Sequence, residues 1–212
     1  MDITLETFII FILFGIIFYL AYLYNYYSKL TKITSTVDNR EYYVQDKDDS
    51  LDAANLIARI REKNLILIEH LKKSYPGDER TIRLSNNYKE NSLKEGVDDP
   101  RYTSYSVNKG EEIVLCIRNK NKLMDINTMM FVVLHELSHL ASESIGHTDE
   151  FWTNFRWILE ESINIGIYIQ QDFNKKPIEY CGMSITSSPI DYISKFDGQL
   201  FEGFKLNNNY LE

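Results

Sequence analysis

The feature that most constrains this 212-residue chain is the spacing of two histidines within an apolar segment. His135 and His139 are four residues apart, so on a helix they lie on one face, one turn from each other. That is the separation that two imidazoles need to bind one Zn²⁺ ion. Glu136 lies between them, and its carboxylate would point beside the metal, where it can hold and deprotonate a water molecule. The spacing therefore predicts a metal-binding helix that carries its own general base.

The residues around this pair are apolar on almost every side. Residues 126–141 read INTMMFVVLHELSHLA, which predicts a helix buried at the centre of the domain. Burying two imidazoles and a carboxylate on a helix costs free energy unless each group has a binding partner, and a metal ion would provide one. This favours a metal site over a surface helix with incidental histidines. A purely structural zinc site usually has four Cys and His ligands, and this chain offers only Cys116 and Cys181 as thiols.

A catalytic zinc ion takes a third protein ligand and leaves its fourth position for water. His147 is the first candidate, because Gly146 can adopt a positive φ that ends the helix and lets the chain fold back. Thr148 is then the expected N-cap of a second helix. The alternatives for the third ligand are carboxylates in the first turn or further along this second helix, namely Glu150, Glu160 and Glu161.

These residues resemble a known group of zinc peptidases. The elements HELSH, Gly146-His147 and Phe151-Trp152 are similar to the WLM and SprT-like branch of the zincins, which carries HExxH followed by H-x-x-x-F-[WY]. The gap from His139 to His147 differs from the WLM and metzincin spacing. Longer stretches resemble an uncharacterised metallopeptidase-like family of large DNA viruses of algae and protists, namely NREYYVQ (39–45), YTSYSVNKGEEIVLCIR (102–118) and EYCGM (179–183). The resemblance implies a zincin fold, a Zn²⁺ cofactor and peptide hydrolysis, without a particular substrate.

The N-terminal stretch predicts a transmembrane helix. Residues 7–28 carry no charge, and at about 1.5 Å per residue a helix of this length crosses a hydrocarbon core of roughly 30 Å. Lys29 and Lys32 follow it, whereas only Asp2 and Glu6 precede it, so the positive-inside rule predicts a cytoplasmic C-terminal domain. A cleaved signal peptide is the alternative, but a basic n-region and a small-residue cleavage site are absent.

The rest of the chain is long enough for one further domain of α+β class. We expect an anchor over residues 1–29, a polar juxtamembrane tether without much regular structure over 30–49, and a zincin-like domain over 50–212. In that domain the metal helix should pack on a small antiparallel sheet.

Local patterns predict several elements of this domain. A helix should begin at Ser50 and end before Pro76-Gly77, and residues 81–85 (TIRLS) are strand-like. Two β-prone runs joined by Asn108-Lys109-Gly110 predict a hairpin just before the metal helix. In zincins the strand at this position binds extended peptide, although an ordinary core hairpin fits the sequence equally well.

Composition limits the partners and the compartment. A net charge of −8 and a pI near 5.1 argue against nucleic acid as a partner. Two cysteines do not make a disulfide framework, so we expect a reducing compartment, with Cys116 as a small buried hydrophobe. His70, the fourth histidine, is predicted to be a solvated surface residue.

Three further residues are considered for the site. Met183 could underlie the metal as the methionine of a Met-turn does in metzincins. Tyr180 or Tyr168 could donate a hydrogen bond to a developing oxyanion, although packing explains each of them as well.

Taken together, the sequence predicts a membrane-anchored zinc metallopeptidase that cleaves an unidentified peptide or protein. One alternative is a catalytically inactive, zinc-stabilised interaction domain tethered to a membrane, but a structural site has no need for Glu136. Another alternative is a protease of DNA-bound proteins, which the acidic charge and the anchor disfavour.

Overall fold

The computed structural model describes residues 5–97 and 103–190, which form helices and small sheets. The helices in this part of the chain are α1 (Leu5–Tyr27), α2 (Ser50–Ser74), α3 (Glu79–Asn87), α4 (Ile126–Ala141) and α5 (Asp149–Asn164). The strands are β1 (Leu30–Thr34), β2 (Glu41–Gln45), β3 (Leu93–Glu95), β4 (Tyr105–Val107), β5 (Glu112–Leu115), β6 (Arg118–Asn119), β7 (Lys122–Leu123), β8 (Ile178–Tyr180) and β9 (Met183–Ile185). The mixed helix and sheet composition agrees with the predicted fold class.

Helix α4 lies at the centre of the domain, as the sequence predicts. Thirteen of its sixteen residues are buried, and α2, α3 and α5 pack around it. It begins after Asp125, whose carboxylate accepts a hydrogen bond from the backbone N–H of Thr128 at 2.9 Å. Because neighbours enclose the helix on several sides, apolar residues are required all round it rather than along one stripe.

The sheet beside α4 is mixed, whereas the sequence predicts an antiparallel one. Its strand order is β3-β5-β4, with β4 antiparallel and β3 parallel to β5. The sequence does not predict strand β3, because its three residues lie in a segment whose polar composition is typical of a loop. The predicted hairpin turn is confirmed, since Asn108, Lys109 and Gly110 all have positive φ between β4 and β5.

The segment predicted to be an irregular tether is folded. Strands β1 and β2 form an antiparallel hairpin that packs on α2. Tyr42 and Val44 point into the core while Glu41 and Tyr43 point outward, so the strand alternates in a stretch whose charges conceal the pattern. Only two residues, 28 and 29, separate α1 from β1.

Residues 81–85 are helical rather than extended. They belong to α3, whose N-cap Asp78 accepts a hydrogen bond from the backbone N–H of Arg80 at 2.8 Å. Thr81 and Leu84, three residues apart, are the buried positions of this helix. The β-branched Thr81 and Ile82 favour a strand locally, but the capping residue and the packing against α4 determine the outcome.

Cys116 and Cys181 form a disulfide, contrary to the expectation of a buried thiol in a reducing compartment. Their Cα atoms are 6.4 Å apart although 65 residues separate them in the sequence. The bond attaches the β8–β9 hairpin to the end of β5. The number of cysteines does not show that these two lie close together, because their proximity depends on tertiary packing.

Helix α1 is apolar over Thr7–Tyr24, and none of that stretch is buried inside the protein. This is what a membrane span or a signal sequence requires, and it agrees with the predicted apolar segment. The predicted domain extends to residue 212, but residues 191–212 lie outside the described part of the chain, as do residues 1–4 and 98–102.

Candidate metal centre

The three histidines singled out by the sequence come together at one point. His135 and His139 belong to α4, and His147 lies in the loop before α5. One ring nitrogen from each lies within 4.8 Å of the other two, and the Nε2 atoms of His135 and His147 are 3.0 Å apart. Tetrahedral zinc with Zn–N bonds of about 2.0–2.1 Å places its ligand nitrogens roughly 3.3 Å apart. The three side chains therefore fit one zinc ion.

The loop that presents His147 is shaped by its local sequence. Gly146 has φ of +80°, as predicted, although α4 already ends at Ala141 and Gly146 turns the loop instead. Thr148 is the N-cap of α5, as predicted, and its hydroxyl accepts a hydrogen bond from the backbone N–H of Phe151 at 3.4 Å. The chain thus reverses between two helices and brings His147 back over α4.

Phe151 contacts all three imidazoles. Its ring stacks on His139 with centroids 4.3 Å apart, and its centroid is 4.8 Å from that of His135 and 4.7 Å from that of His147. The sequence pattern identifies Phe151 as a core residue of α5. Its buried ring also fixes the orientation of the imidazoles, because each of them packs directly against it.

Burial keeps the three imidazoles neutral. It lowers the pKa of His139 to about 3, and repulsion from a protonated His147 and from Lys109 acts in the same direction. Burial also lowers the pKa of His135 well below its ordinary value and, to a smaller extent, the pKa of His147. A neutral imidazole offers a lone pair to a metal, so these side chains are in the protonation state that metal binding requires.

Glu136 is buried beside the histidines and is held by strand β4. Its carboxylate accepts hydrogen bonds from the hydroxyl and the backbone N–H of Ser106. Burial raises the pKa of Glu136 to about 8, although these hydrogen bonds act in the opposite direction. Nothing in the sequence near Glu136 indicates Ser106 as a partner, because the contact joins two elements that meet only in the fold.

These shifts predict how pH changes the stability of zinc-free protein. Below about pH 6.5 the imidazoles bind protons in the unfolded state but not in the folded state. The free energy of unfolding therefore decreases as the pH falls from about 6.5 toward about 3. Glu136 acts in reverse: its raised pKa contributes stability that is complete below about pH 4.5 and is lost as the pH rises through about 8. The difference in unfolding temperature between the parent and Glu136→Gln should therefore change between about pH 4.5 and about pH 8. A difference independent of pH would contradict this.

A cavity of about 50 Å³ opens beside His135 and Glu136. Its apolar walls come from α4 and the β8–β9 hairpin, with Phe131, Val132, Met183 and Ile185 contributing. Met183, considered above as a Met-turn residue, is thus in the wall of the same cavity that His135 lines.

Tyr180 is the polar residue of the hairpin that lines this cavity. Its hydroxyl shares a hydrogen bond of 2.5 Å with the Ser104 hydroxyl, which also accepts the backbone N–H of Cys116 at 3.0 Å. Burial raises the pKa of Tyr180, so its hydroxyl stays protonated. Tyr168 packs against Phe131 instead and is not part of the cavity wall.

Two of the alternative ligands have their carboxylates engaged elsewhere. Glu150 accepts the backbone N–H groups of Glu143 at 2.8 Å and Ser144 at 2.9 Å. These bonds hold the pKa of Glu150 at about 2. Glu160 accepts a hydrogen bond from Arg156 at 2.9 Å.

Glu161, the third alternative, joins α5 to α2. Its two carboxylate oxygens contact Nε2 of His70 at 2.7 Å and accept the hydroxyl of Tyr75 at 2.8 Å. His70 is therefore not the freely solvated residue that the sequence predicts. It lies on α2 at a position that looks polar only while the packing of α5 is unknown.

Comparison with known proteins identifies relatives of this chain. The family model of the WLM domain matches residues 43–200. An uncharacterized protein of Acanthamoeba polyphaga mimivirus is 35% identical over 157 residues, which cover 71% of this chain and 80% of the relative. Shorter matches occur in two other viruses. An uncharacterized protein of Invertebrate iridescent virus 6 is 35% identical over 69 residues, covering 31% of this chain and 38% of the relative. An uncharacterized protein of Invertebrate iridescent virus 3 is 46% identical over 67 residues, which cover 31% of this chain and 42% of the relative.

Among solved structures, the crystal structure of Wss1 from Saccharomyces cerevisiae is similar, with a TM-score of 0.45 and 25% identity. The similarity covers 58% of this chain and 87% of that chain. A TM-score of this size is too low to support an argument. The match to the WLM domain extends over more than half of the 212 residues. The alignment with the mimivirus protein covers most of that protein's length. This chain therefore belongs to the WLM family, a family of metallopeptidase type with relatives in large DNA viruses.

Proposed function

We propose that this chain is a membrane-anchored zinc metallopeptidase that hydrolyses peptide bonds. The observation that carries the proposal is the convergence of three neutral imidazoles beside a buried carboxylate, next to a cavity that His135 and Glu136 line. A metal held by three histidines keeps a position open for chemistry, which a structural site with four protein ligands does not.

The chain's own residues divide the work between metal binding and proton transfer. His135, His139 and His147 would hold the zinc ion. When bound, zinc supplies Lewis acidity, which polarises a peptide carbonyl and lowers the pKa of water. Glu136 takes a proton from the attacking water and passes it to the leaving amine. Burial supports this role because it raises the pKa of the Glu136 carboxyl in the zinc-free protein, which makes the carboxylate a stronger base than a solvated one.

Tyr180 is the residue best suited to stabilise the developing oxyanion. The Ser104 hydroxyl already accepts a hydrogen bond from the Cys116 backbone, so it can donate its own hydrogen to the oxygen of Tyr180. The hydrogen of Tyr180 can then be donated to a substrate in the cavity that Glu136 also lines.

The cavity also favours a class of substrate. Its apolar walls and its volume of about 50 Å³ suit one small or medium apolar side chain next to the scissile bond. The acidic net charge of −8 makes a nucleic-acid partner a poor fit.

Helix α1 would anchor the domain in a bilayer. Its apolar stretch Thr7–Tyr24 is unburied, and the two-residue connection to β1 would hold the domain close to the membrane surface. Lys29 and Lys32 favour the cytoplasmic side, whereas the disulfide is typical of an oxidising compartment. Protease protection of the C-terminal domain in sealed vesicles distinguishes the two orientations.

Metal removal tests the proposed activity. The full chain in detergent micelles should cleave members of a panel of denatured proteins, lose that activity when a chelator removes the metal, and regain it with added zinc. Activity that persists after complete removal of the metal would exclude a zinc peptidase. Stoichiometric zinc without any cleavage would favour the non-catalytic interaction domain.

A further inference from the structure

We propose that Glu150 and Lys109 are positioning residues that hold the loop between α4 and α5 so that His147 reaches the metal. This inference rests on the proposed zinc site. Five residues separate the end of α4 at Ala141 from His147, and an unrestrained loop of that length would have to be ordered each time a metal binds. Side chains that order the loop beforehand remove that cost from metal binding.

Glu150 holds the loop from the side of α5. One carboxylate oxygen accepts the backbone N–H of Glu143 at 2.8 Å, and the other accepts that of Ser144 at 2.9 Å. A single carboxylate thus fixes two consecutive peptide groups. The low pKa of Glu150 agrees with this, because hydrogen bonds from these N–H groups favour the ionised form.

Lys109 holds the same loop from a different element, the β4–β5 turn, which lies against the end of α4. Its Nζ donates to the backbone carbonyl of Ser142 at 2.9 Å and to that of Glu143 at 2.5 Å. The turn comes this close because Gly110 has no side chain: a Cβ there would lie 2.6 Å from the carbonyl oxygen of Asn87. Glu143 is therefore held at its N–H by Glu150 and at its carbonyl by Lys109.

Helix α3 completes the arrangement. The Nε atom of Arg83 donates to the carbonyl of Ala141 at 2.8 Å, and its guanidinium lies 3.4 Å from Glu150. Asn87 donates to the carbonyl of Leu140 at 3.1 Å. The last two carbonyls of α4 and the carbonyls of Ser142 and Glu143 thus each accept a hydrogen bond from a side chain of another element, which restrains the start of the path to His147.

Lys109 also allows positioning to be separated from plain electrostatics. Its positive charge acts on His139, lowering the pKa of that imidazole, and the same charge opposes a metal cation. If charge alone mattered, Lys109→Met would bind zinc more tightly. If Lys109 positions the loop, Lys109→Met binds zinc more weakly despite the lost repulsion.

The test is the zinc affinity of the full chain in detergent micelles, measured by competition with a chromophoric chelator. Glu150→Gln and Lys109→Met should each weaken zinc binding by about 10- to 100-fold, the usual effect of losing a residue that supports a metal ligand. In a His147→Ala background neither change should weaken zinc binding by more than about 2-fold, because the ligand that they position is gone. Glu160→Gln, on the same helix but paired with Arg156, is the matched control and should bind zinc like the parent.

The outcomes separate this inference from the zinc site itself. A parent protein that binds no zinc would overturn both. A parent that binds zinc, with Lys109→Met binding as tightly or more tightly, would overturn the positioning role alone. Equal losses with and without His147 would also overturn it, because general destabilisation weakens binding in both backgrounds. Thermal unfolding of the zinc-free variants identifies such destabilisation directly.

Discussion

Glu136→Gln should bind zinc as the parent does and lose about 10²–10⁴-fold in kcat/KM, the range that general acid–base catalysis contributes. Glutamine matches glutamate in shape, so its side-chain oxygen can keep the hydrogen bonds from Ser106 and the core around it need not repack. It cannot accept a proton, and the transfer between the attacking water and the leaving amine fails. Metal analysis together with cleavage of the denatured-protein panel gives both quantities from one preparation.

Glu143→Gln is the control for this experiment. The substitution is chemically identical and lies seven residues further along, but the Glu143 side chain is exposed and only its backbone takes part in the loop contacts. It should leave zinc content and cleavage unchanged. If zinc-loaded Glu136→Gln cleaved as well as the parent, Glu136 would not be the base. The buried carboxylate would then have to be explained by folding alone.

The sequence predicts α4 and the histidines of the candidate metal site because the information is local. The spacing of His135 and His139 defines one helix face, and the apolar residues around them imply burial. The loop to His147 is nearly as local, since Gly146 and Thr148 supply a positive φ and an N-cap, which are typical of a turn followed by a new helix. A capping residue and a spacing can be recognised without knowledge of the fold.

The remaining features depend on contacts between distant segments. Ser106 reaches Glu136, and Cys116 reaches Cys181, only after the strands have assembled around α4. The sequence does not predict the β1–β2 hairpin for a related reason: its alternation covers few residues and is interrupted by charges, so the polar composition dominates the pattern. Tertiary packing determines the conformation of such segments, and it cannot be inferred from the local pattern of a single sequence.

His147→Ala should weaken zinc binding by more than about 100-fold, because loss of a direct ligand costs more than loss of a residue that merely supports one. The remaining pair on α4 would hold the metal through two imidazoles only. Of the carboxylates that could replace the third, Glu150 is engaged by backbone N–H groups and Glu161 by His70 and Tyr75. Chelator competition on the full chain in micelles measures the loss, and cleavage of the protein panel should disappear with it.

The fourth histidine supplies the control. His70→Ala removes the same imidazole from α2, where it contacts Glu161 rather than the metal ligands, so zinc affinity should stay within about 2-fold of the parent. The free energy of unfolding is expected to fall instead, because the contact between His70 on α2 and Glu161 on α5 is lost and the buried Glu161 carboxylate is left with the hydrogen bond from the Tyr75 hydroxyl. Parent-like zinc affinity in His147→Ala, with reduced affinity in Glu150→Gln or Glu161→Gln, would move the third ligand to a carboxylate. The metal would then be held by two imidazoles and one carboxylate, with α5 supplying the third donor.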